Sequence, residues 1–400
     1  MSTTAKFSNK RIAAVVTREL PVQSEHHFAL SLDDVESWTG NLTNKSNDRE
    51  LHRGSLFTPG AILFGKLRPY LAKVWVSDRT GVYIGDFISV RTNPDVHPTF
   101  LSYVFRTESF IHRATSESHG SKMPRIEWER FKNLEIPVPS LNTQHAIIKF
   151  LDRETAEIDA FIADQERLIE LLEERRTAMI THAVTKGLNP DAPMKDSGVE
   201  SLGFVPAGWD VVSISRFVRF KNGSDYKQVE IEDGGYPVIG SGGEFRRASN
   251  YLFDGESVLF GRKGTVDKPL YISGRFWTVD TMYYTEIDDR YVLPKFLYYW
   301  ALRIPFELYL TNTALPSMTQ TDLGSAKIGL PLVPEQKSIV SALDAELAEI
   351  DAAVADAREV IGLLRERRAA LISAAVTGQI DVTRQAHPVV DQSVDDEVWV

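Results

Sequence analysis

Lysine and arginine side chains stand beside aromatic or glycine residues in two separate stretches of the chain. The first stretch holds Lys66, Arg68 and Tyr70, and the second holds Arg262 and Lys263 between two glycines. Cationic side chains in turns can contact DNA phosphates or guanine edges, and nearby amides can contact adenine edges. The same residues would also suit an ordinary soluble surface. Their matching placement in both stretches favours the nucleic-acid interpretation.

The candidate DNA-binding residues are basic or polar side chains in predicted turns. In the N-terminal half they are Lys66, Arg68, Lys73, Lys122 and Arg125, and in the C-terminal half Arg246, Arg262, Lys263, Lys268, Ser317, Thr319 and Gln320.

Nothing in the sequence predicts a catalytic centre. The nine histidines are scattered, His26 and His27 form the only close pair, and no His-Glu-x-x-His motif occurs. The glycines at 240–243 lack the third glycine of a dinucleotide fingerprint, and the run 261–265 lacks the spacing of a phosphate-binding loop. The chain has no cysteine, which excludes a thiolate zinc site. We therefore expect no enzymatic activity, metal or cofactor on this chain.

The composition is that of a globular protein with uneven charge. The 400 residues are 43% hydrophobic and 25% charged, without an apolar run long enough to span a membrane. The formal net charge is −10, but residues 1–135 carry 18 basic and 15 acidic side chains, whereas residues 328–400 carry 6 and 13. Overall charge gives DNA binding no support, yet it leaves room for one basic face. Because no signal-peptide pattern is present, we expect a cytoplasmic protein.

A long internal repeat organises the chain. Residues 136–185 recur as residues 328–377 without a gap, and about half of the aligned positions are identical. In each copy apolar residues recur about every 3.5 positions, which is the pattern of a coiled-coil seam. Gly187 and Gly378 follow the last apolar positions, where helices commonly end. We expect two helical rods, each about 60 Å long at ~1.5 Å per residue, that pack on each other.

One polar residue interrupts both seams at the same step, Arg176 in the first copy and Arg368 in the second. Polar seam residues trade stability for a defined register or partner. We therefore name both as candidate contacts of a partner helix. The alternative is a guanidinium that reaches out of the seam into solvent.

The segments before the rods have a different texture. They are rich in glycine, aromatic and β-branched residues, and short runs such as 278–284 predict strands, whereas 100–105 and 296–300 predict short helices. The predicted segments are a globular domain at 1–135, a helical spacer at 136–187, a linker and second globular domain at 188–327, a second helical spacer at 328–380 and an acidic tail at 381–400, whose composition predicts disorder.

Several short motifs follow one another in a fixed order. They are Gly-Leu-Asn-Pro at 187–190, the runs 194–200, 205–209 and 261–265, Pro331 with Pro334-Glu335-Gln336, Ile-Asp at 158–159 and 350–351, and Glu-Arg-Arg at 174–176 and 366–368. In this combination and order the chain resembles the specificity subunits of type I restriction-modification enzymes, over nearly its whole length.

The resemblance implies two target recognition domains, each reading one half of a bipartite sequence in double-stranded DNA. The implied fold class is α+β: two globular mixed α/β domains separated by two long antiparallel coiled-coil helices, with a pseudo-twofold internal repeat. It also implies that methyltransferase (modification) subunits dock on the helices and that restriction endonuclease subunits join outside them. S-adenosylmethionine, ATP and Mg would then belong to those partners, and no membrane is involved.

One part of the chain departs from the family pattern. The second globular domain opens with Val-Pro-Ala-Gly-Trp at 205–209, and the start of the first domain has no evident equivalent. The sequence therefore leaves the role of residues 1–55 unassigned. In the first domain Gly-Lys-Leu-Arg-Pro at 65–69 replaces the run at 261–265, as expected for domains that read different sequences.

Two other interpretations stay open at the level of sequence. The first is a coiled-coil scaffold whose globular heads bind proteins or glycans, which the negative net charge alone supports. A gel shift with random and genomic DNA would separate it from a DNA reader. The second is a self-contained restriction-methylation enzyme. The missing methyltransferase and nuclease motifs argue against it, and a methylation assay on the isolated chain would decide.

The helices are predicted to act as a ruler between the two half-sites. DNA grooves recur every ~34 Å, a distance that a rod of about 60 Å can span. Inserting one heptad in the 151–179 helix should therefore change the gap between the half-sites and leave each half-site sequence unchanged. A methylation-site map of the variant checks this, and unaltered spacing contradicts the ruler.

Overall fold

The computed structural model describes residues 7–43, 51–309 and 317–382, so the predicted tail lies outside the described residues beyond Val382. The chain divides into two compact units. Unit 1 consists of residues 1–165 and 359–400, and unit 2 of residues 166–358. No helix in these described ranges is both long and apolar enough to cross a bilayer.

Unit 1 is built from short strands and helices that precede a long helix. Its strands are β1 (Ser8–Arg11), β2 (Val16–Arg18), β3 (Gln23–His26), β4 (Ala29–Leu30), β5 (His52–Phe57), β6 (Ile62–Gly65), β7 (Val74–Val76), β8 (Gly81–Tyr83), β9 (Phe87–Thr92) and β10 (Glu135–Val138). Its helices are α1 (Ile12–Val15), α2 (Pro98–Phe105), α3 (Glu108–Ser116), α4 (Trp128–Phe131) and the first part of α5 (Leu141–Lys186).

Unit 2 begins within α5 and is likewise built from short strands and helices. Its strands are β11 (Met194–Asp196), β12 (Phe204–Pro206), β13 (Asp210–Ser213), β14 (Val218–Asn222), β15 (Glu230–Ile231), β16 (Tyr236–Gly240), β17 (Gly243–Ala248), β18 (Phe253–Asp254), β19 (Ser257–Gly261), β20 (Leu270–Ile272), β21 (Arg275–Thr278), β22 (Met282–Ile287) and β23 (Lys327–Leu330). Its helices are α6 (Pro294–Ala301), α7 (Gln320–Ser325) and the first part of α8 (Val333–Thr377), whose last part belongs to unit 1.

A four-stranded antiparallel sheet, in the order β2-β9-β6-β7, lies in the core of unit 1. Phe64 on β6 packs against Phe105, Phe110 and Phe131, which come from the helices. Aromatic clusters of this kind bury much apolar area and so contribute strongly to stability. A second sheet, β3-β5-β8-β4, pairs β4 and β8 in parallel.

Unit 2 repeats the first of these sheets as β14-β22-β19-β20, whereas its second sheet has five strands in the order β15-β17-β16-β21-β18. The sequence predicted one continuous strand over 278–284, and this prediction is wrong because the strand is interrupted at 279–281. Strand β21 ends at Thr278 and β22 begins at Met282, because a turn closed by Met282 N–H and Val279 O moves the chain from one sheet to the other. Alternating apolar residues on both sides of the turn hid it in the sequence.

Residues 8–18 of unit 1 follow the same path as residues 210–220 of unit 2. In each unit the first of these strands pairs with the strand before a long helix, as β1 with β10 and β13 with β23. Next, β2 and β14 join the same edge of the repeated sheet. A side chain added at Gly378 would collide with Phe7, and one added at Gly187 would meet Trp209. Phe7 is therefore the counterpart of Trp209 that sequence analysis did not find.

A fully buried glutamine fastens the globular part of unit 1 to α5. The side chain of Gln144 donates hydrogen bonds to the carbonyls of Pro139 and Asp95, both at 2.9 Å. Its amide oxygen accepts from the backbone N–H of His97 at 2.8 Å. Three backbone groups outside the helix thus find their partner in one side chain of its first turn.

Gln336 makes the equivalent bonds at the start of α8 in unit 2. It donates to the carbonyls of Pro331 (2.9 Å) and Tyr291 (2.7 Å), and accepts from the N–H of Leu293 (2.8 Å). It is also fully buried. We call each set of three hydrogen bonds made by Gln144 or Gln336 a glutamine clasp. Because α2 and α6 begin directly after these contacts, each clasp positions a globular core on its long helix.

The two long helices pack antiparallel in each unit. In unit 2 Arg176 of α5 pairs with Asp351 of α8, and the end of α5 at Gly187 lies beside Glu335 in the first turn of α8. In unit 1 the equivalent pair is Arg368 with Asp159, with Nε and Oδ1 2.9 Å apart. The predicted α+β class with paired helices and a pseudo-twofold repeat is confirmed.

Removing the clasp should destabilise unit 1. We expect Gln144→Leu to lower the free energy of unfolding by about 2–4 kcal/mol, because it leaves one buried and two partly buried backbone groups without the glutamine as their partner. Urea denaturation followed by circular dichroism measures it. The control is Gln228→Leu at an exposed position. Equal stability of the two variants would show that the clasp contributes little.

Candidate nucleic-acid interface

In unit 1 the turn after β6 lies against the loop that precedes α4. The N–H of Lys66 donates to the carbonyl of Asp86 at 2.8 Å, and the N–H of Arg68 donates to that of Pro124 at 2.7 Å. These backbone bonds bring Lys66, Arg68 and Arg125 together, although they lie far apart in the sequence.

The carboxylate of Asp86 lies between two cationic side chains beside this turn. Its Oδ2 accepts from Nη2 of Arg125 at 2.6 Å, and its Oδ1 lies 3.8 Å from Nζ of Lys66. The side chains of Lys66 and Asp86 are 24% and 23% exposed, so the charges are partly shielded from solvent. A carboxylate between two cations fixes their positions and can itself accept a hydrogen bond from a cytosine amino group.

The remaining candidates of unit 1 differ in whether their side chains already form hydrogen bonds or ion pairs within the protein. Arg68 and Lys122 are exposed, and neither side chain has a hydrogen bond or ion pair within the described ranges. Nζ of Lys73, by contrast, donates to the carbonyl of Leu32 at 2.6 Å. Lys73 is therefore already bound to the backbone of its own unit.

Unit 2 repeats the arrangement in the turn after β19. The N–H of Arg262 donates to the carbonyl of Thr281 at 2.8 Å, as that of Lys66 does to Asp86. The N–H of Met318 donates to the carbonyl of Arg262 at 3.1 Å, which matches a bond that Lys66 accepts in unit 1. The two turns are structural equivalents.

The side chains on the second turn are different. Thr281 stands where unit 1 has Asp86, and the guanidinium of Arg262 lies 5.9 Å from the ring centre of Tyr283. Burial raises the pKa of Tyr283, and the positive charge of Arg262 acts in the opposite direction. Lys263 is exposed and pairs through its backbone with Ser317.

Two further candidates of unit 2 already have structural contacts. Oγ1 of Thr319 caps α7 by accepting from the N–H of Asp322 at 3.1 Å. The amide of Gln320 donates to Oδ1 of Asn222 at 3.1 Å. Lys268 is exposed in the β19–β20 connection and has no such contact within the described part of the chain.

Arg246 lies in a different part of unit 2. It is on β17 and forms an ion pair with Glu230 at 3.0 Å. Both residues line an open cleft of about 910 Å³ together with Ile231, Glu232, Glu244, Phe245 and Arg247. No hydrogen bond or ion pair between described residues links Arg246 to the turn at Arg262, so the structure does not group these two candidates.

The seam arginines both form ion pairs between the helices. Arg176 binds Asp351 and Glu173, and its side chain is 28% exposed. Arg368 binds Asp159 and is 7% exposed as a residue. These contacts fit a role in register, and the contact with a partner helix stays a prediction.

Sequence reasoning missed Asp86, Tyr283 and Asn222. Asp86 was overlooked because its charge is opposite to that of the candidates it holds. Within the described ranges no group of three or more His, Asp or Glu residues is suited to a metal ion. The arrangement of cations and amides suits a polyanion instead.

Comparison with known proteins places this geometry in a family. The family model for the type I restriction modification DNA specificity domain matches residues 15–171 and 206–354. The specificity subunit of the type I restriction enzyme MjaVIII of Methanocaldococcus jannaschii is 24% identical over 312 residues, which are 69% of this chain and 68% of that protein. The specificity subunit of EcoDI of Escherichia coli is 26% identical over 136 residues, or 33% and 30% of the two chains.

Solved structures share the fold at low sequence identity. A chain from a study of the assembly and conformational transition of the type I restriction-modification system matches with a TM-score of 0.75, 16% identity, and coverage of 94% of this chain and 98% of that one. The HsdS subunit of Thermoanaerobacter tengcongensis matches with a TM-score of 0.54, 17% identity, and coverage of 94% and 97%.

The duplicated globular core, the two paired helices and the basic turns define a DNA-recognition protein. The chain belongs to the family of type I restriction-modification DNA specificity subunits, because the family model covers both of its repeats.

Replacing the acid in the first turn should strengthen non-specific DNA binding. Asp86→Asn releases Lys66 and Arg125 for phosphates, so we expect tighter binding to random duplex DNA and a slope of log K against log salt that is steeper by about 1. Fluorescence anisotropy across a salt series measures both. Asp78→Asn, which breaks the surface pair with Arg79, is the control. The same change in both variants would mean that only net charge matters.

Proposed function

We propose that residues 1–135 and 188–327 are two target recognition domains, each of which reads one half of a bipartite sequence in double-stranded DNA. The observation that carries this proposal is the repeated turn after β6 and β19, which presents unlike side chains. Asp86 organises the first turn, whereas Tyr283 and Thr281 flank Arg262 in the second. A conserved scaffold with different reading groups is what two different half-sites require.

The chemistry of each turn suggests what it reads. Arg262 supplies a forked donor that matches O6 and N7 of guanine in the major groove. In the first turn the carboxylate of Asp86 suits a base with an exocyclic amino group, and Arg125 beside it suits guanine. We assign the exposed side chains of Lys122 and Lys263 to the phosphate contacts, which orient the protein without reading sequence, and Arg68 to the base-reading side chains of the first turn.

The helical segments 136–187 and 328–380 are proposed to set the distance between the half-sites. Support comes from their length, since α5 has 46 residues and α8 has 45. At ~1.5 Å per residue each helix is about 70 Å long, which exceeds the ~34 Å between successive turns of a DNA groove. The paired arginines Arg176 and Arg368 would keep this length constant by fixing the helix register.

The proposed partners are methyltransferase subunits that dock on the helices and restriction endonuclease subunits that join them. Arg176 is the more exposed of the two seam arginines and the better placed to meet a partner helix. S-adenosylmethionine, ATP and Mg would lie on the partners, and this chain would contribute recognition without chemistry in the cytoplasm. Specificity subunits are the non-catalytic members of such systems, in agreement with the absence of catalytic motifs from the sequence.

Arg262→Ala should weaken the reading of one half-site only. We expect a loss of about 1–3 kcal/mol in discrimination at the base pair it contacts. Modified-base sequencing of cells that carry the variant with its methyltransferase partner measures it, with every site sorted by half-site. The matched control is Arg275→Ala, which removes a surface arginine paired with Asp254. Equal losses on specific and random DNA would make Arg262 a phosphate contact instead.

A further inference from the structure

Three residues other than glycine adopt left-handed backbone conformations in the described part of the chain, and all belong to unit 1. They are Trp38 (φ 69°), Arg68 (φ 51°) and Ala72 (φ 48°). This conformation is unfavourable for residues with a β-carbon and persists only where the surroundings hold it. One of the three, Arg68, lies in the proposed reading turn.

One short turn and one hydrogen bond connect these three residues. Arg68 and Ala72 flank a 3-10 turn at Pro69–Leu71, in which the N–H of Leu71 donates to the carbonyl of Arg68 at 2.9 Å. The carbonyl of Ala72 then accepts from the N–H of Trp38 at 3.3 Å. The conformation at Trp38 is therefore tied to that of the reading turn.

Trp38 is in turn held by a helix. Its carbonyl accepts from Nη1 of Arg368 at 3.1 Å, while Nε of the same guanidinium binds Asp159 of α5. One almost fully buried arginine thus joins both long helices to the backbone that supports Arg68. Because the guanidinium is planar, fixing one donor by Asp159 also fixes the direction of the other.

The loop that carries Trp38 has little freedom to move independently. At Gly40 (φ 78°) a β-carbon would lie 2.7 Å from Nη1 of Arg106 and 2.7 Å from the carbonyl of Val74. Arg106 is itself buried and stacks on Tyr103, with 4.8 Å between guanidinium and ring centre. The loop is therefore held between β7 and α2.

No such connection occurs among the described residues of unit 2. Arg176 is the repeat equivalent of Arg368, but its hydrogen bonds and ion pairs within the described ranges go to Asp351 and Glu173, both on the long helices. The turn at Arg262 instead rests on Tyr283 of its own sheet. The two seam arginines thus differ in whether they reach a globular core.

We infer that Arg368 is a positioning residue for the DNA-reading turn at Arg68, acting through the backbone of Trp38. This inference rests on the proposed function, since it assumes that the turn after β6 reads DNA. It makes the fidelity of the first half-site depend on the helix seam, whereas that of the second half-site does not.

The test compares Arg368→Lys with Arg176→Lys in the complex with the methyltransferase subunit. Lysine keeps a positive charge for the facing aspartate but has a single ammonium in place of the fork, so Arg368→Lys should release Trp38. The readout is methylation of the cognate duplex and of duplexes with one base pair changed in either half-site. Arg68→Ala identifies which half-site the first turn reads.

We expect Arg368→Lys to raise methylation of duplexes altered in the first half-site by about 5-fold or more relative to cognate DNA, which is the lower bound of typical coupling between sites. Duplexes altered in the second half-site should keep their ratio, and Arg176→Lys should change neither ratio. A merely structural role would lower methylation of all duplexes together.

A second variant perturbs the loop without touching the helices. Gly40→Ala pushes the loop against Arg106 and should reproduce the effect of Arg368→Lys, so the test survives if that variant does not fold. Gly198→Ala is its control, because Gly198 also has positive φ but open space around it.

Two outcomes would overturn the inference in distinguishable ways. If Arg68→Ala alters the first half-site but neither Arg368→Lys nor Gly40→Ala does, the connection through Trp38 is wrong and the proposed function stands. If Arg68→Ala alters neither half-site, the assignment of the reading turn fails, and the inference fails with it.

Discussion

Each unit depends on a buried glutamine that replaces ordinary backbone pairing where a globular core meets a long helix. Gln144 and Gln336 each bind three backbone groups at a junction that is buried at one of them and partly buried at the other two. An unsatisfied buried group costs about 1–3 kcal/mol, so these contacts are expensive to break and the core is held at one orientation. A reading turn can be precise only if the core that carries it is fixed to the helix in this way.

The repeat separates what both units must share from what must differ. The clasp, the four-stranded sheet and the Arg–Asp pairs between helices recur, because each solves the same packing problem twice. The second sheets and the side chains of the proposed reading turns diverge, since no shared packing constrains them. Arg368 is the instructive exception: it keeps the ion pair of its equivalent Arg176 and adds a bond to Trp38. Of this repeated pair, the residue in unit 1 contacts a globular core, and its equivalent in unit 2 contacts the long helices alone within the described residues.

Much of the fold could be predicted because its signals are periodic or local. The heptads and the terminal glycines indicated helices close to α5 and α8, which end at Lys186 and Thr377. Phe7 was missed because its likeness to Trp209 lies in its place in the fold, with only aromatic character in common. Asp86 was missed because a salt bridge between residues 39 positions apart leaves no periodic trace. For the same reason sequence alone could not show that Gln320 binds Asn222, whereas the cap that Thr319 forms with Asp322 is local and could have been recognised.

The negative net charge fits a selective DNA reader better than it first suggests. Clustered free cations bind any duplex through phosphates, and this non-specific term competes with the target across a genome. In this chain several candidate cations are partly neutralised by carboxylates, as Arg125 is by Asp86 and Arg246 by Glu230. Such a cation gains little from a phosphate unless its carboxylate also finds a partner, and a base edge with an amino group offers one. If these cations contact DNA as proposed, their acidic neighbours would lower general affinity while they sharpen the difference between right and wrong sequences.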